Sequence, residues 1–373
     1  MRKVFFRVLL VLGLSALLTI IVANRRGYFS VKPYDYGGEL RAVTAETQWP
    51  PGITTARLGI FAENVYDFSV TTQSIAAEGL VWITWGRDFQ ELLNSQGLSV
   101  EQALSPVNRV NSWDWVLAPV YAKPITLPSG ESYQLLRFAG RFYVQSVDLH
   151  RYPFESLQFP IIFGLNAIGD TFEASKVRLV ADAGQSGVGQ FIDIIGFATG
   201  GFSISEYLQS FPTAFGYVRP GGTADTKFSQ VRLEISYVKS GFASCQQLLL
   251  PLLVVMLIVL VAPALGPTLW EVRIAIPSTA LLTLVFLQQA YRQTLPFLPY
   301  NTYLDQIYAV SYLITFSLFC LFVWSSNKLH MTPEADRPAV IARLNRIDSR
   351  VQVIFILILM TTTFLNWRFP LKY

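Results

Sequence analysis

The spacing of apolar and polar residues changes character near residue 240. Beyond it lie four long apolar runs, at 248–265, 274–290, 307–324 and 351–367. Each is about the length that carries an α-helix across a ~30 Å hydrocarbon layer, roughly 17 to 25 residues. The pattern therefore predicts four membrane spans. Before residue 240 the apolar positions come in short, often alternating runs rich in β-branched and aromatic residues: "RLGIFAENVYDFSV", "IAAEGLVWITWGRDF", "YQLLRFAGRFYVQSVDL", "LQFPIIFGL" and "KFSQVRLEISYVK". Clusters of Gly, Pro, Asn and Ser separate them, which is strand-and-turn spacing. Helical periodicity is scarce there, apart from "DFQELLNSQ". The expected fold is an all-β, immunoglobulin-like sandwich over 31–240, followed by an all-α four-helix transmembrane bundle over 241–373.

A fifth apolar stretch opens the chain. "MRKVFFRVLLVLGLSALLTIIVANRRGYFS", residues 1–30, has basic residues, an apolar core and small residues near Ala23. That layout fits a secretory signal or an uncleaved anchor, and either delivers the β-rich part across the membrane.

Composition agrees with this division. At 373 residues, 52% hydrophobic and 14% charged, the chain holds one soluble domain and several spans but no large soluble enzyme besides. The net charge of +4 calls for no nucleic-acid partner. Charge sets the topology: the short loop at about 325–350 carries Lys328, Arg337, Arg343, Arg346 and Arg350 against Glu334, Asp336 and Asp348. That excess belongs on the cytoplasmic side, which puts the β-rich domain outside. The two cysteines, Cys245 and Cys320, lie in or beside the spans, so the exported domain has no disulfide and depends on its core.

Signals of catalysis are missing. The two histidines, His150 and His330, fall on opposite sides of the expected membrane, so neither a Ser-His-Asp arrangement nor a His-rich metal site can assemble. "GQSGVGQ" lacks the Lys and the strand-to-helix setting of a phosphate loop. No enzyme, cofactor or metal is expected.

The second span carries a pattern of its own. Positions 275, 279, 282, 286, 289 and 293 recur at intervals of four and three, which puts them on one helical face. That face reads Ala275, Thr279, Leu282, Phe286, Gln289 and Gln293, with Glu271 one turn earlier. Small and polar at one end, apolar in the middle and polar again, it suits a water-filled pore with a dewetting constriction and an acidic ring, if several copies surround an axis. It equally suits a helix packed against its neighbours.

The order of parts, with several motifs, resembles the pentameric ligand-gated ion channels, specifically bacterial members without the disulfide loop. "DLHRYPFESLQ" looks like the family's D-x-x-x-[FY]-P-F-D-x-Q loop, with Asp148, Tyr152, Pro153 and Phe154 in register. "WVLAPVY" looks like the W-x-P segment with one extra residue, "KSGFASCQQLLLP" like the segment before the first span, and "EVRIAIPSTALLTLVFLQQAYRQTLP" like the pore helix, with Leu282 on the mid-pore leucine. "TYLDQIYAVSYLITF" is similar to the third span. Departures are Glu155 for the usual Asp, Leu157 in the usual Gln slot, Lys239 for Arg, and Pro277 inside the pore helix. The charge signs survive, so a Glu155–Lys239 pair stays open, with a point charge in place of a bidentate fork.

The resemblance implies a homopentamer in the bacterial inner membrane, its β domain in the periplasm or outside. A small-molecule ligand or protons would open it to permeant ions, with Glu271 favouring cations and Arg273 opposing. Tyr152, Pro153 and Phe154 would couple the sandwich to the pore at the outer link between second and third spans, near Pro296; an ordinary apolar plug at the base of the sandwich is the other reading. Trp85, Trp115, Tyr121 and Tyr217 are the aromatics it places near a ligand, where a ring face attracts a cation by about 0.5–2 kcal/mol. An anion-selective channel and a non-conducting, membrane-tethered sensor are the alternatives.

Overall fold

A computed structural model describes residues 39–110, 113–144, 148–166, 170–216, 226–239, 241–298 and 300–368. The expected signal or anchor at 1–30 and Tyr217 lie outside the described residues. The chain forms two compact units. One holds 33–147 and 156–239; the other holds 148–155 together with 240–373.

The first unit is β-sandwich-like. Its strands are β1 (Leu40–Ala42), β2 (Thr54–Ser69), β3 (Ser74–Trp85), β4 (Leu104–Pro106), β5 (Trp115–Pro119), β6 (Ile125–Thr126), β7 (Ser132–Tyr143), β8 (Ser156–Leu165), β9 (Val177–Ala181), β10 (Gly187–Phe191), β11 (Phe197–Phe211) and β12 (Thr226–Lys239). One sheet runs β1-β11-β12-β8-β4 and the other β10-β2-β3-β7-β5, with β6 on β7 and β9 on β2. Alternation builds much of the core, while β8 is buried on both faces from Phe159 to Leu165. Leu58 and Ile60 of β2, Val81, Ile83 and Trp85 of β3, and Leu136 and Phe138 of β7 are buried from one sheet. Phe159, Ile161 and Phe163 of β8 and Val231, Leu233 and Ile235 of β12 are buried from the other. Ring contacts such as Phe138 to Phe163 at 5.5 Å join the two sets. The expected helix is present as α1 (Arg87–Gln96), which buries Phe89 and Leu93, and a one-turn helix, α2 (Val100–Ala103), follows.

The pattern missed β11, a fifteen-residue strand pairing along nearly all of β12. Its Gly200-Gly201 reads as a turn, but here it forms a bulge: the register shifts between Thr199 and Gly201, and Gly201 takes φ +112°, which an L side chain rarely adopts.

The second unit contains four helices long and apolar enough to cross a membrane: α3 (Gly241–Ala264), α4 (Trp270–Arg292), α5 (Tyr303–His330) and α6, whose regular α-helix is Arg337–Arg368. α3 includes a π-helical turn at Cys245–Leu249, just before Pro251. The expected loop at 325–350 needs correcting. α5 runs on to His330 and α6 begins at Arg337, so only a turn and the 3₁₀ segment Glu334–Asp336 separate them. The charged residues there continue the helices past the apolar spans.

Candidate functional site

The side chains of α4 divide into two faces. Arg273, Pro277, Ala280, Leu284 and Tyr291 are buried against the rest of the chain. Glu271, Ala275, Thr279, Leu282, Phe286, Gln289 and Gln293 are all exposed, Leu282 by 57% and Phe286 by 65%. The stripe picked out by its period is thus one uncovered face. Pro277 falls on the covered side, where its missing N–H leaves the Arg273 carbonyl without its usual helical donor. Ser278 and Thr283 return their hydroxyls to the carbonyls of Ile274 and Thr279, at 2.8 and 3.0 Å.

At the start of α4, Arg273 is 1% exposed, and its Nη2 donates to Asp348 Oδ2 of α6 at 2.7 Å. The guanidinium also lies 4.3 Å from the centroid of the Phe322 ring of α5. Arg273 Nε and Asp348 Oδ1 have no hydrogen-bond partner. Two residues along a helix are about 200° apart, so Glu271 and Arg273 point to opposite sides. Glu271 makes no ion pair among the described residues.

The other end of α4 is tied to α5 through Asp305. Its carboxylate accepts from Tyr291 Oη, Arg292 Nε at 3.0 Å, Thr302 Oγ1 at 2.9 Å and the Thr302 amide at 3.0 Å, closing a capping box. The T-x-x-D spacing in "NTYLD" is the signal that could have singled out Asp305.

Segment 148–155 packs on the ends of α4 and α5 that Asp305 ties together. Asp148 Oδ1 accepts from the His150 amide at 2.9 Å and lies 2.7 Å from His150 Nδ1. The His150 ring stacks on Tyr300, the Leu149 amide donates to Tyr300 Oη at 3.2 Å, and the Tyr303 amide donates to the His150 carbonyl at 2.8 Å. Tyr152 is buried, 6.3 Å from the Tyr291 ring and 3.4 Å from Thr294 Oγ1. Pro153 is also buried, and the Tyr152–Pro153 peptide is cis. Phe154 meets Trp367 of α6 edge-on at 5.0 Å and Tyr303 at 6.3 Å. Glu155 is buried. Pro296 sits in irregular backbone between α4 and α5. In the first unit, Lys239 ends β12 with its amine 5.9 Å above the Phe197 ring.

Among the aromatics expected to meet a ligand, Trp85 is the clear correction. It is 1% exposed, set edge-on to Phe89, and its Nε1 donates to Gln90 Oε1 at 2.9 Å, so it is core and lines no open surface. Trp115 is half-buried among Phe138, Phe142 and Phe163 and covers Gly140, where an added Cβ would stand 2.2 Å from its ring. Tyr121 is 42% exposed, and its carbonyl accepts from Gln134 Nε2 at 2.8 Å.

The residue that sequence reasoning missed is Trp82. Three positions before Trp85, it points to the opposite face of β3, lies over Gly59 of β2, and donates Nε1 to Asp182 Oδ2 at 3.0 Å. With Phe61, Leu135 and Tyr133 it lines an open depression of about 560 Å³, rimmed by Arg57, Glu131 and Asp182. Burial, and then the nearby Tyr121, raises the Tyr133 phenol above its usual range. Alternation was the available signal, since Val81, Ile83 and Trp85 share the core face. No metal-binding group of His, Cys, Asp and Glu occurs among the described residues. No protein-family model matches the chain, and no curated protein matches it.

Proposed function

We propose that the chain is one subunit of a homopentameric channel of the pentameric ligand-gated type, cation-selective, in a bacterial inner membrane with its sheet domain on the periplasmic side. In this reading the sheets form an immunoglobulin-like sandwich, and the four apolar helices form a bundle whose α4 lines the pore. The observation that carries the reading is the uncovered face of α4, with Glu271 at one end, Leu282 and Phe286 in the middle and glutamines at the other. A helix with both apolar and polar positions bare on one side leaves them to water and to further copies of itself around an axis. Leu282 and Phe286 then form the constriction that closes by dewetting, and Glu271 forms the acidic ring.

The contacts of Tyr152 with Thr294 and Tyr291, and of Phe154 with Tyr303 and Trp367, support a coupling role for segment 148–155, with Pro153 buried between them. The Trp82 depression supports recognition of a small organic cation, because an indole face beside Glu131 and Asp182 attracts positive charge.

Planar-bilayer recording from the purified, reconstituted protein tests the reading. Current should appear on a step in external pH or on adding a small amine, and should reverse near the cation equilibrium potential. A pentamer silent under all these conditions would overturn it in favour of a non-conducting sensor.

A further inference from the structure

The pore reading leaves one charge unexplained. Arg273 lies two residues from Glu271 on the same helix, and a ring of arginines at the inner mouth would cancel a ring of glutamates. We infer that Asp348, on the outermost helix, determines charge selectivity by holding Arg273 inside the subunit so that Glu271 acts alone. This inference rests on the channel reading above.

Three observations carry it. Arg273 and Asp348 are each 1% exposed, and their 2.7 Å ion pair joins α4 to α6 across 75 residues of sequence. Arg273 also lies on the Phe322 ring of α5, so its guanidinium is held from two helices. Glu271 on the opposite side of α4 is exposed. Among the described residues no other acidic group pairs with Arg273. In a low-dielectric interior a guanidinium is tolerated only while its counter-charge is present. With Asp348 neutral, the arginine either swings toward the nearest water or stays as an uncompensated positive charge about one helix diameter, ~10 Å, behind the pore face. Either way each subunit adds a positive field where cations must pass. Asp348 touches no permeant ion and acts through Arg273, so it is a positioning residue.

The experiment is bilayer recording of reversal potentials in a KCl gradient for four proteins: unmodified, Asp348→Asn, Arg273→Gln, and the double Arg273→Gln/Asp348→Asn. The unmodified protein and the double variant should share the same strong potassium preference, because both have a neutral interior behind Glu271. Asp348→Asn alone should bring the potassium-to-chloride permeability ratio down toward one, and the second substitution should restore it. A merely structural pair would not give that restoration.

An unchanged ratio in Asp348→Asn overturns the inference, as does a double variant that loses as much preference as the single. If Asp348→Asn does not assemble, Arg273→Gln and the double variant decide together. Arg273→Gln leaves Asp348 alone behind Glu271 and should not lower the ratio. The double variant should match the unmodified protein, and a rise in the double would show that the paired Arg273 already acts on the pore and would overturn the inference. Failure of the channel reading is distinct: it appears as no current, or chloride preference, in the unmodified protein.

Discussion

The imidazole of His150 lies flat on the phenol of Tyr300, with ring centroids 3.9 Å apart and planes only 6° from parallel. The same phenol accepts a hydrogen bond from the Leu149 amide, so one side chain grips segment 148–155 by both stacking and bonding. Tyr300→Phe should keep the stack and lose the bond, costing about 1 kcal/mol, and Tyr300→Ala should lose both, at about 2 kcal/mol. Hydrogen exchange at residues 148–155 reads the difference, with protection falling in that order. Equal protection in both variants would mean the segment is held by Tyr152 and Phe154 alone.

Trp82 and Trp85 make opposite predictions three residues apart. Trp85→Ala empties a core site and should cost about 3–5 kcal/mol, seen as a lower Tm. Trp82→Ala removes a half-buried ring from the open depression, so Tm should shift little while amine-evoked current weakens. Gly59→Ala should mimic Trp82→Ala, since the new Cβ would stand 2.2 Å from the indole and displace it.

The proposed constriction predicts gain of current. Leu282→Ser places a hydroxyl on the uncovered face where an exposed leucine now stands, so water should wet the pore more readily and current without stimulus should rise. Phe286→Ala widens the same region and should raise single-channel conductance. Loss of current in both would point to a packing role for this face.

Alkaline stability should depend on Tyr237. Its hydroxyl donates to the Ile192 carbonyl at 2.5 Å, and burial, then Asp193, raises its pKa well above the usual value. An unfolded tyrosine ionises near pH ~10 while the folded one keeps its proton. The stabilisation is therefore full below about pH 10 and lost as pH rises toward the folded value. Thermal unfolding against pH should fall steeply above pH ~10. Tyr237→Phe should be about 1 kcal/mol weaker at neutral pH and fall less steeply.

The four apolar helices and the stripe from Glu271 to Gln293 were legible because helical period and run length are local properties. β11 was not, because Gly200 and Gly201 look like a turn until β12 is seen to pair through the bulge. Trp82 was hidden by its neighbour: the resemblance drew the choice to Trp85, where alternation with Val81 and Ile83 already marked the core. The residues at 325–350 read as a loop because they are charged, although Arg343, Arg346 and Arg350 recur at helical intervals opposite buried Leu344 and Asp348. The Arg273–Asp348 pair could not be read at all, since nothing in either segment names its partner.

Of the described residues of α6, only Leu344, Asp348 and Asn366 are buried in the chain, and in the nearly five turns between the last two Ile354, Leu357, Met360 and Phe364 are exposed. Along that stretch Gln352 Nε2 donates to the Leu260 carbonyl at 2.9 Å, and much of the apolar surface is left uncovered by the chain. What covers that surface is supplied by whatever amphiphile surrounds the protein, so acyl-chain length and order become terms in its folding equilibrium. In the channel reading, a change of lipid would then bear on the helix that carries Asp348, and through that carboxylate on Arg273.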